Sequence, residues 1–536
     1  MEKTAVKQRV GKMLDKYPAA VYKNRKEHIV VKDSEVCESQ TITANTRTMP
    51  GIITNRGCCY AGCKGVVLGP LRDAVIITHG PIGCGYYSWG TRRHKGRTAG
   101  DEKNFLNYSF NTDLQEGDIV FGGEKKLRKA IQEAVEIFQP KTVMICSTCP
   151  VGLIGDDIHA VAKWAEKEFG VKTLAFSCEG YKGVSQSGGH HIANNQLIKH
   201  IIGTGDKAVG KYSINILGEY NIGGDGWEIE RVLKKIGYEI VSVMTGNGTV
   251  EQLQNAHKAD LNVVQCHRSI NYIGEMMKTK YGTDWIKVNF IGVRSTVKSL
   301  RDMALYFGDQ DLINRTEMVI QEELEEVQPL MDEYKKSCEG KTAALFVGGS
   351  RAHHYQKLFK DLGIKTLLAG YEFGHRDDYE GRDIIDDIKM DADSKNIESI
   401  EVEPDSKNFR LYLTQEQAEE LKNKLELNNY GGMIKEMQDG SIVVDDLNHF
   451  ETEELIKLLK PDIFCSGIKD KYVAHKQGIF SKQLHSYDYS GPYAGFRGAL
   501  NFARDITMGL TTPSWSYVIP PWKTEPMLEG QLVGGR

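Results

Sequence analysis

Residues 73–85 read DAVIITHGPIGCG, and residues 141–149 read KTVMICSTC. Each is a short apolar run rich in β-branched residues, closed by small or turn-forming ones, the pattern of a strand buried on both faces of a parallel sheet. The same pattern returns at 172–178, 213–220, 239–246, 261–267, 287–293, 341–349, 365–371 and 461–467. Amphipathic helical patterns lie between these runs. The clearest spans 124–138, where Leu127, Ile131, Ala134, Val135 and Phe138 form one apolar stripe; others are at 226–236, 269–281, 295–307 and 352–362. Repeated β-α units predict an α/β fold of doubly wound parallel sheets. At roughly 150 residues per domain, a chain of 536 residues needs three or four such units. Rough boundaries near 205 and 340 give a polar arm at 1–50 and domains at 51–205, 206–340 and 341–536. The stretch 380–432, rich in Asp, Glu, Lys and Asn, breaks the pattern and reads as a solvated insertion in a surface loop. The last fifty residues carry aromatics and prolines in irregular segments and read as a wrapping tail.

Charge is balanced, with 68 Lys and Arg against 72 Asp and Glu for a net −4. That argues against a nucleic-acid binder, which carries a basic excess, and no apolar run approaches the ~18 residues of a membrane helix. The start, MEKTAVKQRVGKMLDKY, is charged throughout without a signal-peptide core, so a cytoplasmic protein is expected, with neither nucleic acid nor membrane as partner. In that compartment eleven cysteines predict buried thiols or ligands rather than disulfides. No phosphate loop of the form GxxxxGK followed by Ser or Thr occurs, so no nucleotide of its own is expected. Glycine is abundant, 55 residues, and the pairs at 122–123, 188–189, 223–224, 348–349 and 431–432 mark tight turns or close backbone approach.

In open α/β sheets ligands gather beyond the carboxyl ends of the strands, and the chemically unusual residues fall there. Cys84 follows the run at 73–80, Cys149 the run at 141–148, Cys266 closes the run at 261–267, and Gly348, Gly349 and Arg351 follow the run at 341–349. His190 and His191 sit in the turn-rich GVSQSGGHHIAN of 183–194, where at most one of two adjacent imidazoles faces a site, and His485 lies in KQLHSYDYSGPYAG. Soft thiolates spread one per strand end suit an iron-sulfur site assembled from distant segments. Other readings stay open on the residues alone. A Cys at a strand end is also a small buried hydrophobe. Cys146 and Cys149 match a CxxC redox pair, and Cys58, Cys59 and Cys63 are close enough for a cluster of their own, although CC-x3-C is not a strong metal spacing. The residues by themselves reach a multi-domain α/β redox or metal protein.

The stretches GIITNRGCCYAGCKGVVLGP, ITHGPIGCGYYSWGTRR, STCPVGLIGDDI, CEGYKGVSQSGGHHIANN, QCHRSINYI, VGGSRAHH, GYEFGHRDDY, SGIKDKY and QLHSYDYSGPYAGF, taken in this order, resemble the α subunits of the dinitrogenase component of nitrogenase over nearly the whole chain. The resemblance implies three Rossmann-like domains with parallel sheets around a buried metal cluster. It implies an enzyme that reduces N2 to ammonia with H2 release, within an α2β2 heterotetramer with a β chain. Electrons would come from a separate iron protein that hydrolyses ATP, which accords with the missing phosphate loop. By the resemblance Cys58, Cys84 and Cys149 hold an 8Fe-7S P-cluster shared with the β chain, while Cys59, Cys63 and Cys146 are packed thiols; exchange between Cys58 and Cys59 stays open. Cys266 and His485 match the two protein ligands of an iron-molybdenum cofactor completed by homocitrate. Arg92, Arg351 and Lys469 match its cationic lining, and Gly348 and Gly349 the backbone that approaches it. Gln186, Glu372 and Gln483 match residues near homocitrate. His190 matches the proton donor to substrate, and Val66 the apolar residue over the reactive face. The insertion 380–432 occurs in only a subset of the family and is expected to act at the surface, away from every matched ligand. A vanadium or iron-only enzyme, a cofactor-assembly scaffold and a cluster-free thiol oxidoreductase are the alternatives; the presence of His485 speaks against the scaffold.

Overall fold

A computed structural model describes residues 3–35, 40–46, 54, 56–90, 104–385, 397–467, 470–512, 514 and 517–519. The amino-terminal arm is not the polar appendage its composition suggests. Helix Lys3–Leu14 buries Val6, Val10, Met13 and Leu14, an i, i+4, i+7, i+8 stripe hidden among lysines. The arm also supplies strand β1 (Ile29–Val31) to the third of three sheets.

The first sheet holds β2 (Ala74–His79), β3 (Phe110–Asn111), β4 (Thr142–Ser147) and β5 (Lys172–Phe176) in the order β3-β2-β4-β5. The second holds β6 (Ser213–Glu219), β7 (Glu239–Thr245), β8 (Leu261–Val264) and β9 (Trp285–Lys287) in the order β7-β6-β8-β9. The third joins β10 (Thr342–Val347), β11 (Lys365–Tyr371), β12 (Ile442–Asp445), β13 (Ile463–Ser466) and β14 (Phe480–Gln483) as β1-β12-β11-β10-β13-β14. Every pairing is parallel except that of β1 with β12. The expected α/β architecture of parallel, Rossmann-like sheets is therefore present. In each sheet an early strand (β2, β6 or β10) is flanked by strands from opposite winding directions, so each has a switch point whose crevice opens past the carboxyl ends.

Helix Glu124–Phe138 covers the first sheet through Leu127, Ile131 and Ala134 and stops at Gln139, whose φ of 46° is left-handed. Burying each large aliphatic there contributes about 1.5–3 kcal/mol. The strand expected at 287–293 meets the observed one only at Lys287: β9 ends there, and Val288, Phe290 and Ile291 are buried as irregular chain. The turn expected around the histidine pair is instead the amino-terminal half of helix Gln186–His200. The insertion at 380–432 is only partly a solvated loop. Leu413, Leu421, Leu425, Leu427 and Tyr430 are buried, and its two ends meet in a bridge between Gly381 and Gly431. Among the described residues no helix is long and apolar enough to cross a membrane.

Candidate functional site

Beyond β2 the chain passes through Pro81 into helix Ile82–Gly90, which carries Cys84, and beyond β4 it enters helix Cys149–Ile154 directly. Cys149 accepts a hydrogen bond from the Gly180 N–H (3.2 Å). A Cβ on Gly180 would lie 2.9 Å from the Cys149 sulfur and 3.4 Å from the Cys58 Cβ, so the missing side chain lets both thiols close on this backbone. Burial, with Cys58 and Cys149 as charged neighbours, raises the Cys84 thiol. The three thiols therefore share one neighbourhood. Cys58 is exposed and the other two half-buried; Ile82, Tyr86, Tyr87 and Leu153, close to Cys84 and Cys149 in the chain, and Tyr181, next to Gly180, are exposed.

One cavity of about 630 Å³ runs from Cys58 and Cys84 to Cys266 and His485, and its walls include Val66, Gln186, His190, Gly348, Gly349, Arg351 and Phe373. Cys266 ends the β8 segment and is the N-cap of helix His267–Tyr281. Two glycines leave room for it. A Cβ on Gly349, at φ 62°, would sit 2.8 Å from the Cys266 sulfur, and one on Gly218, at φ 75°, 2.8 Å from its backbone nitrogen. Gly348 has the same need against the Phe373 ring. His485 follows β14, with its Nε2 3.4 Å from Glu372 Oε1 at the end of β11. Gln483 closes β14 and accepts a hydrogen bond from Ser486 Oγ (2.5 Å). Arg92 and Lys469 lie outside the described residues.

Arg351, at the start of helix Arg351–Asp361, donates to the Tyr487 hydroxyl, which donates to Asp225 Oδ2 (2.5 Å). Asp225 Oδ1 accepts from the Tyr493 and Ala494 amides (2.7 and 2.9 Å). Burial opposes the guanidinium charge, but Tyr487, Tyr355, Asp225 and Glu219 outweigh it and raise its pKa. Arg351 thus offers a fixed positive charge to the cavity.

Val66 and His190 come from two helices that cross at main-chain contact. A Cβ on Gly62, in the π-helix Ala61–Leu68, would collide with the Gln186 carbonyl, and one on Gly189 with the Cys59 carbonyl. His190 lies flat against Tyr220 (6.5 Å between centroids) and edge-on to Phe373 (5.5 Å), while His191 packs on Tyr272 (4.4 Å) and is absent from the cavity wall. A large anionic group held by a thiolate, an imidazole and a buried cation fits this chemistry.

The family model described as Nitrogenase component 1 type Oxidoreductase matches residues 58–511. The chain belongs to the nitrogenase component 1 family. It is 57% identical over 525 residues to the nitrogenase molybdenum-iron protein alpha chain of Clostridium pasteurianum, covering 98% of each. Against the protein of the same name from Methanosarcina barkeri it is 53% identical over 517 residues, 96% of this chain and 97% of that one. A solved structure, "Nitrogenase Cp1 at pH 6.5", superposes with a TM-score of 0.92 at 58% identity, covering 95% of this chain and 99% of that one. This component 1 chain is an oxidoreductase of the nitrogenase type.

Sequence reasoning missed part of this nitrogenase-family site. Behind Cys266, His267 Nδ1 lies 2.7 Å from Ser350 Oγ and its Nε2 2.9 Å from Asp378 Oδ1. The fully buried Arg268 reaches Asp377 and Asp378 at 3.4 and 3.3 Å. Tyr430, from the insertion, packs at a tilt on His267 (4.4 Å), donates to Asp377 and accepts from Asn271 Nδ2 (2.8 Å). The insertion was expected to stay away from every matched ligand; its last residues instead seal the network next to Cys266. The signal available was the run of apolar residues late in the stretch, Phe409, Leu411, Leu413, Leu421, Leu425, Leu427 and Tyr430, which a solvated loop does not need.

Proposed function

We propose that this component 1 chain is the catalytic subunit of a cytoplasmic dinitrogenase, reducing N2 to ammonia with release of H2. The observation that carries the reading is the single cavity that Cys266 and His485 line from the second and third sheets, cleared of side chains by Gly348 and Gly349. An iron-molybdenum cofactor with homocitrate, when bound, would supply the metal centre at which N2 is reduced. Cys266 would hold its terminal iron and His485 its molybdenum, a soft and a borderline ligand suited to those metals. Arg351, with Arg92 and Lys469, would balance the negative charge. Gln186, Glu372 and Gln483 would orient homocitrate and the His485 ring through hydrogen bonds. His190 would hand protons to substrate, since an imidazole titrates near the operating pH. Val66 would limit substrate size on the same face.

Cys58, Cys84 and Cys149 would be this chain's share of an 8Fe-7S P-cluster. A β chain would complete that cluster, and the exposed apolar side chains around the thiols support such a partner. In this reading the α2β2 assembly receives electrons from the ATP-hydrolysing iron protein, and domains 51–205, 206–340 and 341–536 each contribute one wall. The relatives' molybdenum-iron name favours molybdenum over vanadium. Metal analysis and EPR spectroscopy of anaerobically purified protein test the reading. Cys266→Ala or His485→Ala should lose molybdenum and keep the P-cluster signal, and Cys149→Ala should disturb the P-cluster first. Active protein containing vanadium, or iron alone, would overturn the assignment.

A further inference from the structure

Cys63, Cys146 and Cys178 have no part in the reading above, yet their sulfurs all lie within 4.8 Å of one another. They arrive from three elements: Cys63 from the π-helix Ala61–Leu68, Cys146 from within β4, and Cys178 from just beyond β5. All three are completely buried, unlike Cys58, Cys84 and Cys149. We propose that the three thiols form a second, structural metal site that holds one soft d10 cation, Zn²⁺ or Cu⁺.

The geometry needs little change. With metal-sulfur bonds of about 2.3 Å, three thiolates sit about 3.8 Å apart around a tetrahedral ion and about 4.0 Å apart around a trigonal one. From separations within 4.8 Å, closure asks each sulfur to move by less than about 1 Å. The three thiols sit in the hydrophobic core among Tyr60, Val67, Leu68 and Phe176, where thiols also pack as small hydrophobes; the mutual approach of three sulfurs from three separate elements is what points to an ion. Lys64, next to Cys63 in the chain, is itself buried, and its charge favours the Cys146 thiolate. Burial raises the Cys146 thiol, but hydrogen bonds from Cys178 and Cys63, with Lys64, outweigh it and bring it down to about 5. Burial and the Cys146 neighbour push Cys63 and Cys178 well up. Cys178 also faces the Ser147 carbonyl (3.6 Å). Loading is a proton exchange without electron transfer: each sulfur gives up whatever thiol proton it carries as it binds, and the three thiolates leave a site of charge −1 with Zn²⁺ or −2 with Cu⁺. Thiolates select both ions over harder cations. The ion would tie the π-helix that carries Val66 to the first sheet and would be taken up as the chain folds.

The test uses the anaerobically purified complex after growth with zinc or copper supplied. Elemental analysis reads the content, and X-ray absorption at the zinc and copper edges tells the two ions apart. The expected result is about one equivalent of zinc or copper per α chain, with a shell of three sulfurs near 2.3 Å. Cys146→Ser should lower that metal at least tenfold while iron and molybdenum stay in place. The absorption measurement on unaltered protein stands even if the variant does not assemble. A zinc and copper content near zero in unaltered protein, a shell without sulfur, or metal retained in Cys146→Ser overturns the proposal.

Discussion

Replacing Gly349 with Ala adds one carbon to a backbone at φ 62°, 2.8 Å from the Cys266 sulfur. Two costs combine. A non-glycine residue in the left-handed region costs about 1–2 kcal/mol. The second cost is steric: an ordinary carbon-sulfur contact is about 3.5–4.0 Å, so the thiol or the loop must yield by roughly 0.7–1.2 Å. Metal-ligand distances tolerate only about 0.2 Å, so the Cys266 thiol is displaced several times further than a ligand can be. Gly308 separates the two terms. It has φ 63° and open space where its Cβ would go, so Gly308→Ala carries the backbone cost alone. The expected outcome is that both variants lose thermal stability, Gly349→Ala more than Gly308→Ala, but only Gly349→Ala loses molybdenum, by at least tenfold relative to iron held in the P-cluster. Differential scanning calorimetry and elemental analysis of the purified tetramer read the two quantities. If Gly349→Ala keeps its molybdenum, or if Gly308→Ala loses it equally, the close approach of this loop to Cys266 does not govern cofactor binding.

Tyr487→Phe removes the hydroxyl that bridges Arg351 and Asp225, an expected loss of about 1.5–3 kcal/mol that a lowered Tm would report; an unchanged Tm would show that the pair is satisfied otherwise. Burial, with Lys287 nearby, lowers the His353 imidazole from 6.5 to about 4, although Glu436 opposes the shift. Unfolded chains take up this proton below 6.5 and folded ones only near 4, so stability is full above 6.5 and falls across that window by up to about 3 kcal/mol. His353→Gln should flatten the acid limb of the Tm-against-pH curve, and parallel curves would refute the assignment. His190→Gln should slow N2 reduction at least tenfold while proton reduction to H2 continues, the split expected when a positioned proton donor is removed; equal loss of both activities would point to a collapsed site.

The parallel strands were legible because strands covered on both faces carry unbroken apolar runs, and the cysteines at their ends were legible because such sheets concentrate ligands there. Helix Gln186–His200 escaped because it is buried nearly all round, so no stripe marks it and its glycines imitate a turn. The arm's stripe was masked by lysines on its outer face. Tyr430 could not be placed because its partners, His267, Asn271 and Asp377, lie far away in the chain. The Cys63, Cys146 and Cys178 trio has no local spacing signature at all, since three elements bring its sulfurs together.

The crossing of the helices that carry Val66 and His190 has a mechanical meaning. Where Gly62 meets the Gln186 carbonyl and Gly189 meets the Cys59 carbonyl, main chain bears on main chain, and no rotamer change can absorb a displacement. The segment that holds Cys58 and the helix that presents His190 are therefore joined without intervening side chains. The distance from the exposed thiol end of the cavity to the imidazole is thus set by backbone contact rather than by side-chain packing.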